Sequence, residues 1–274
     1  MQGVFDSLSA HVYWDYDATS RFEQRLDDVR DILNRLANMP HGDTLQSPMP
    51  VFITEFGTRS KDRAVKGVVD PGNFHDGKEK IPLHKTNIAA FQTAWFQIRA
   101  AQIGYAGMLK WDCHFGMYDK TERAYYAIGK PDPKHPTVWQ LWPMYFLLRL
   151  LTMTTAPGWK VLPVERDPAA AGSGTKHLVA FQGGGNMTIL GLDQRGAPLN
   201  ERSGTQAAYE IGGLRPGTRF TPVFWNKAGG GQLHLDPAVA ADSAGVVRVA
   251  APLHSVFALT TKGLPPLWGR NDPQ

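Results

Sequence analysis

The chain has 274 residues, 42% hydrophobic and 20% charged, enough to bury one large core or two smaller ones. Its formal net charge is only +4, and its Lys and Arg residues are scattered, so no electrostatic footprint for a nucleic acid is present. The single cysteine, Cys113, excludes an intrachain disulfide but does not fix the compartment.

Residues 1–6 carry no basic region and no long apolar run, so they do not read as a signal peptide. Residues 8–14, LSAHVYW, read as a strand. Thr19 or Ser20 can cap a following helix, whose apolar positions Phe22, Leu26, Val29, Leu33 and Leu36 keep helical spacing. Pro40, Gly42, Pro48 and Pro50 mark a linker. Residues 51–54 form the second predicted strand, and a long polar loop over residues 57–84 follows.

A second amphipathic helix is predicted around Ile88, Phe91, Trp95 and Ile98, stopped at Gly104. Residues 107–111 are a third strand, followed by a long loop through KPDPKHP. A third helix is expected over residues 137–154. The most apolar stretch, residues 139–153, contains Pro143 and Arg149 and is too short to span a bilayer, so no membrane partner is expected.

Residues 1–156 thus read as three consecutive βα units with parallel strands and right-handed crossovers. From residue 157 onward the helical period disappears. Short runs follow instead: WKVLPVE, HLVAF, MTILGLD, AAYEIG, RFTPVFW, GQLHL, GVVRVA and HSVFALTT, split by Gly, Pro, Asn and Asp. Residues 157–274 therefore read as an antiparallel β-sandwich, with GGGN at 183–186 as a hairpin turn. The fold class expected is α/β plus all-β. Three parallel strands cannot close a barrel and leave an edge exposed. The expectation is that an N-terminal portion is missing, or that another polypeptide supplies it.

Glu55 is the first candidate for chemistry, because a charge at the tip of an apolar strand costs free energy unless it is paired or used. A carboxylate there can attack an anomeric carbon, or it can simply pair with Arg59. Alternation puts His11 and Tyr13 on one strand face, from which the Tyr13 hydroxyl could donate to Glu55. Trp111 offers a flat face for a pyranose ring or is a core residue. Asp112 and His114 could bond sugar hydroxyls or only shape a loop.

Clustered metal ligands and a Gly-x-Ser-x-Gly elbow are both missing from the sequence, which argues against metal and serine hydrolases. Trp159, Trp225 and Trp268 either stack on carbohydrate or pack the second domain.

HVYWDYD, VFITEFG and GMLKWDCHFG occur in order, each at a strand end with helices between. This resembles the sixth, seventh and eighth strands of the (β/α)8-barrel retaining glycoside hydrolases, the clan that includes the family 5 cellulases and mannanases and the family 39 and 30 enzymes. The resemblance implies the last three βα units of a barrel, followed by a β-sandwich. It implies Glu55 as nucleophile, Tyr13 as the aromatic residue contacting it, His11 as its neighbour and Trp111 as the floor of the sugar subsite. His114 would contact hydroxyls.

A β-linked glycoside would be the substrate, no cofactor would be needed, and the parent enzyme would be exported. The sequence departs from the clan at the acid/base, a Glu after strand four that usually follows Asn. The sequence has one Asn-Glu pair, Asn200-Glu201, and it falls in the predicted sandwich beside a Pro-Leu turn. The chain is therefore expected to be an incomplete catalytic domain, inactive alone. The alternative is a non-catalytic carbohydrate-binding or structural module.

Overall fold

The computed structural model describes residues 7–15, 19–37, 50–59, 73–76, 79–82, 86–110, 127–132, 134–167, 169, 174–195 and 206–265. Strand β1 (Leu8–Asp15) leads to helix α1 (Thr19–Ala37) and strand β2 (Val51–Arg59). The hairpin β3 (Asn73–Asp76) and β4 (Glu79–Pro82) precedes α2 (Asn87–Ile103) and β5 (Gly107–Lys110). A second hairpin, β6 (Ile128–Asp132) and β7 (His135–Leu141), leads into α3 (Pro143–Thr154). β1, β2 and β5 form a three-stranded sheet with β2 in the centre, and both of its pairings are parallel.

Three local expectations change. The predicted loop over 57–84 contains the end of β2 and the β3–β4 hairpin, and KPDPKHP lies in the β6–β7 hairpin. The third helix starts at Pro143 and not near residue 137. A proline disfavours the helical region for the residue before it, and Trp142 is extended at φ −92°, ψ 165°. Pro143 itself suits the first helical position, where its missing N–H leaves no bond unmade.

The remaining strands are β8 (Lys160–Leu162), β9 (Lys176–Gly183), β10 (Asn186–Asp193), β11 (Gln206–Ile211), β12 (Arg219–Trp225), β13 (Leu233–Leu235), β14 (Val239–Ala240), β15 (Val247–Pro252) and β16 (Val256–Thr260). Their main sheet runs β13-β12-β16-β10-β9-β8, with β14 paired to β12. β11 and β15 pair separately. The β9–β10 turn places Gly184 and Gly185 at φ +56° and +76°, the left-handed pair that a two-residue hairpin requires.

α2 binds the two halves together. Thr86 caps its start by accepting from the Ala89 N–H at 3.3 Å, and Gly104 ends it at φ +102°. Ile88, Phe91, Trp95 and Ile98 are buried as their spacing predicts, but so are Gln92, Thr93, Ala94 and Phe96. The helix is covered all round because it packs against β2 on one flank and against β9 and β10 on the other.

The alternating side chains of the main antiparallel sheet divide between two cores. Val179, Leu190, Leu192, Val223, Val256 and Ala258 join the helices and β1–β2. Ala180, Ile189, Phe224, Phe257 and Leu259 face Ala207, Tyr209, Val247 and Ala251 of β11 and β15. Trp225 is fully buried and donates from Nε1 to the Pro143 carbonyl at 2.9 Å, so it packs against α3. Trp159 lies against Gly183, and Trp268 is outside the described residues.

Candidate active site

Two strand registers place Glu55. In the β1–β2 pair, Leu8 aligns with Val51 and Ala10 with Ile53, but His11 aligns with Glu55. Thr54 is therefore an extra residue in β2. The β2–β5 pairing slips at the same place, with Ile53 opposite Met108 and Phe56 opposite Lys110.

A one-residue bulge reverses which face each later side chain occupies. Before it, Val51 and Ile53 are buried; after it, Phe56 and Thr58 are. Phe56 stacks on Phe96 of α2 at 4.9 Å, so this is the helix-covered face. On an unbroken strand Glu55 would share the Ile53 face and enter that core. The bulge turns it to the open side.

β1 keeps simple alternation. Val12 and Trp14 are buried on the helix side, and His11 and Tyr13 stand on the other. Tyr13 Oη donates to Glu55 Oε2 at 2.9 Å, a charge-assisted bond between neighbouring strands. His11 Nδ1 lies 3.3 Å from the same oxygen and forms an ion pair when the imidazole is protonated. The Glu55 side chain retains 29% exposure, so the carboxylate is both held and reachable. Both contacts fall on Oε2.

Glu55 stands within β2 and not at its tip. The strand continues to Arg59 because β1 continues to Asp15 and supplies partners for Phe56, Gly57, Thr58 and Arg59. The Arg59 side chain, a possible partner of Glu55, lies outside the described residues.

Behind the site, Gln92 anchors both strands. It is 1% exposed, and its Oε1 accepts from Trp14 Nε1 at 2.9 Å and from Thr58 Oγ1 at 3.2 Å. Arg25 of α1 donates to the Tyr13 carbonyl and holds the end of β1 against the helix. Sequence reasoning missed Gln92, Thr58 and Arg25. The available signal for Gln92 was a long amide within the apolar run IAAFQTAWF.

Trp111, Asp112 and His114 follow the last described residue of β5, and Asn200-Glu201 is likewise outside the described residues. Among the described residues no group of three or more His, Cys, Asp or Glu side chains could hold a metal ion. No described helix is long and apolar enough to cross a membrane.

No protein-family model and no curated protein matches the sequence. Solved structures do match the fold. An α-L-arabinofuranosidase from Thermotoga maritima, in its arabinose complex, superposes with a TM-score of 0.60 at 10% identity, over 94% of this chain and 53% of that one. The GH51 arabinofuranosidase from Xanthomonas axonopodis pv. citri gives 0.55 at 12% identity, over 93% and 52%. The catalytic domain of GH30 xylanase C from Talaromyces cellulolyticus gives 0.54 at 10% identity, over 78% and 41%. The chain spans about half the length of these structures or less. The likeness supports a distant glycoside hydrolase fold of mixed α/β type, and at this identity it speaks for the fold alone.

Proposed function

We propose that this chain carries the nucleophile portion of a retaining glycoside hydrolase acting on β-linked glycosides, with Glu55 as the nucleophile. One observation carries the reading. A reachable carboxylate, on the face of the parallel sheet opposite the helices, is fixed through one oxygen by Tyr13 and His11. With Oε2 engaged by both, Oε1 is the oxygen offered to an anomeric carbon.

In the first step the Glu55 oxygen bonds to that carbon as the glycosidic C–O bond breaks. The leaving oxygen takes a proton from a general acid, and water later releases the sugar. Tyr13 and His11 orient Glu55, Trp111 floors the ring, and His114 and His11 meet hydroxyls. Residues 1–156 would be the last three βα units of a barrel, and residues 157–274 a β-sandwich that buttresses it. The acid/base, a carboxyl about 5 Å from Glu55 in a complete site, is assigned to barrel strands other than β1, β2 and β5. The isolated chain should therefore turn over unactivated glycosides very poorly.

A fluorinated dinitrophenyl glycoside tests this directly, because its leaving group departs without acid assistance. Incubation of the folded chain with a panel of such sugars should attach one glycosyl group to Glu55, located by peptide mass spectrometry. Glu55→Ala should abolish the label without changing the circular dichroism. A folded chain that is never labelled, or is labelled equally in Glu55→Ala, would sink the assignment. Sugar binding without labelling would support a non-catalytic carbohydrate-binding module instead.

A further inference from the structure

Gln92 stands where an apolar side chain would cost less. It is 1% exposed on α2, among the equally buried Ala89, Phe91 and Phe96. A buried amide is unfavourable unless its polar atoms are bonded. Its Oε1 accepts from Trp14 Nε1 at 2.9 Å and from Thr58 Oγ1 at 3.2 Å. An indole N–H can only donate, so the amide oxygen and not its nitrogen must face the two strands.

These two donors are register partners. Trp14 lies opposite Thr58, as His11 lies opposite Glu55 and Tyr13 opposite Gly57. That pairing exists only beyond the bulge. Had the register of Ala10 with Ile53 run on unbroken, Trp14 would have faced Gly57, which has no side-chain donor. Alternation would also have turned Thr58 away from α2 and Glu55 toward it. A single buried oxygen therefore bonds both strands only in the register that brings Glu55 beside Tyr13 and His11.

Given Glu55 as the nucleophile proposed above, we infer that Gln92 is its positioning residue. It acts through Trp14 and Thr58 and not on substrate. By holding the bulged register it keeps Glu55 Oε2 on the Tyr13 hydroxyl and Oε1 aimed outward. Without that acceptor the strands sample other registers, and Oε1 is correctly aimed for a smaller fraction of the time.

The rate at which a fluorinated dinitrophenyl glycoside labels Glu55, followed against glycoside concentration, tests this. Gln92→Met keeps the length of the side chain and loses the acceptor. It should lower the limiting labelling rate about tenfold and leave the half-saturating concentration unchanged. Gln92→Glu keeps an acceptor oxygen, and burial favours its neutral acid, so the rate should return to within about threefold of wild type. A purely structural role would instead reduce the fraction of molecules labelled and leave the rate of the folded ones as it was. If Gln92→Met fails to fold, Thr58→Val decides, since it removes one donor and should slow labelling about threefold.

A folded wild-type chain that is never labelled would end the nucleophile reading, and a double-mutant cycle then decides on Gln92 alone. Tyr13→Phe should weaken the folding equilibrium about fivefold in the wild-type background, and less than about twofold beside Gln92→Met or Thr58→Val. Unchanged labelling rates in the folded variants, or an equal effect of Tyr13→Phe in both backgrounds, would overturn this role for Gln92.

Discussion

The two sheets of this molecule are covered differently. The antiparallel sheet has helices on one face and β11 with β15 on the other. Six of the eight residues of β10 and all of β16 are buried as a result. Among the described residues, the parallel sheet of β1, β2 and β5 meets helices on one face, and its other face bears exposed His11, Phe52 and Leu109. A sheet covered twice spends its side chains on packing. A sheet covered once can present charge, and that is where Glu55 stands.

The largest expected effect breaks the covered sheet. Phe257 is fully buried against Tyr209 at 4.8 Å, with Phe224 at 6.3 Å. Phe257→Ala should cost about 4 kcal/mol in denaturant unfolding through the cavity it leaves. A loss below about 1 kcal/mol would mean that β11 and β15 do not seal that face.

Phe56→Glu attacks the open sheet from its covered side. Phe56 is fully buried against Phe96, so a carboxylate there would be stranded in the core, at a cost of about 3 kcal/mol or more by the same measurement. Unchanged stability would show that the bulge does not turn residue 56 inward.

The smallest effect is a pH dependence in the covered sheet. His177 in the covered sheet has its pKa lowered from 6.5 to about 4, first by burial and then by the charges of Arg166 and Arg99. The unfolded chain binds this proton more readily, so stability is full above pH 6.5 and falls as pH drops toward 4, by at most about 3 kcal/mol. His177→Gln should flatten unfolding free energy against pH in that window. An equal slope in His177→Gln would place the titration elsewhere.

Much of the frame was legible in residue order. β1 and α1 follow local periodicity, and each of the eight apolar runs after residue 157 holds a strand. The pairing of Tyr13 with Glu55 also followed from alternation, since His11 and Tyr13 share a face whatever lies beneath. The α3 boundary was missed because the apolar run crosses Pro143 without a break in hydrophobicity. The length of β2 was missed because Gly57, Thr58 and Arg59 lack the marks of a strand, and only the partner residues of β1 keep them extended.

By itself the sequence determined which segments extend, where α1 and α2 run, and that Glu55, Tyr13 and His11 are among the polar groups of the first two strands. Local propensity and period settle such matters within a few residues. Only the tertiary structure decided on which face Glu55 emerges. Val51, Phe52, Ile53 and Phe56 are all apolar, so either face of β2 could have served as the core side. The choice fell to Phe96 stacking on Phe56 and to Gln92 bonding Trp14 and Thr58, with Thr54 bulged to let both occur.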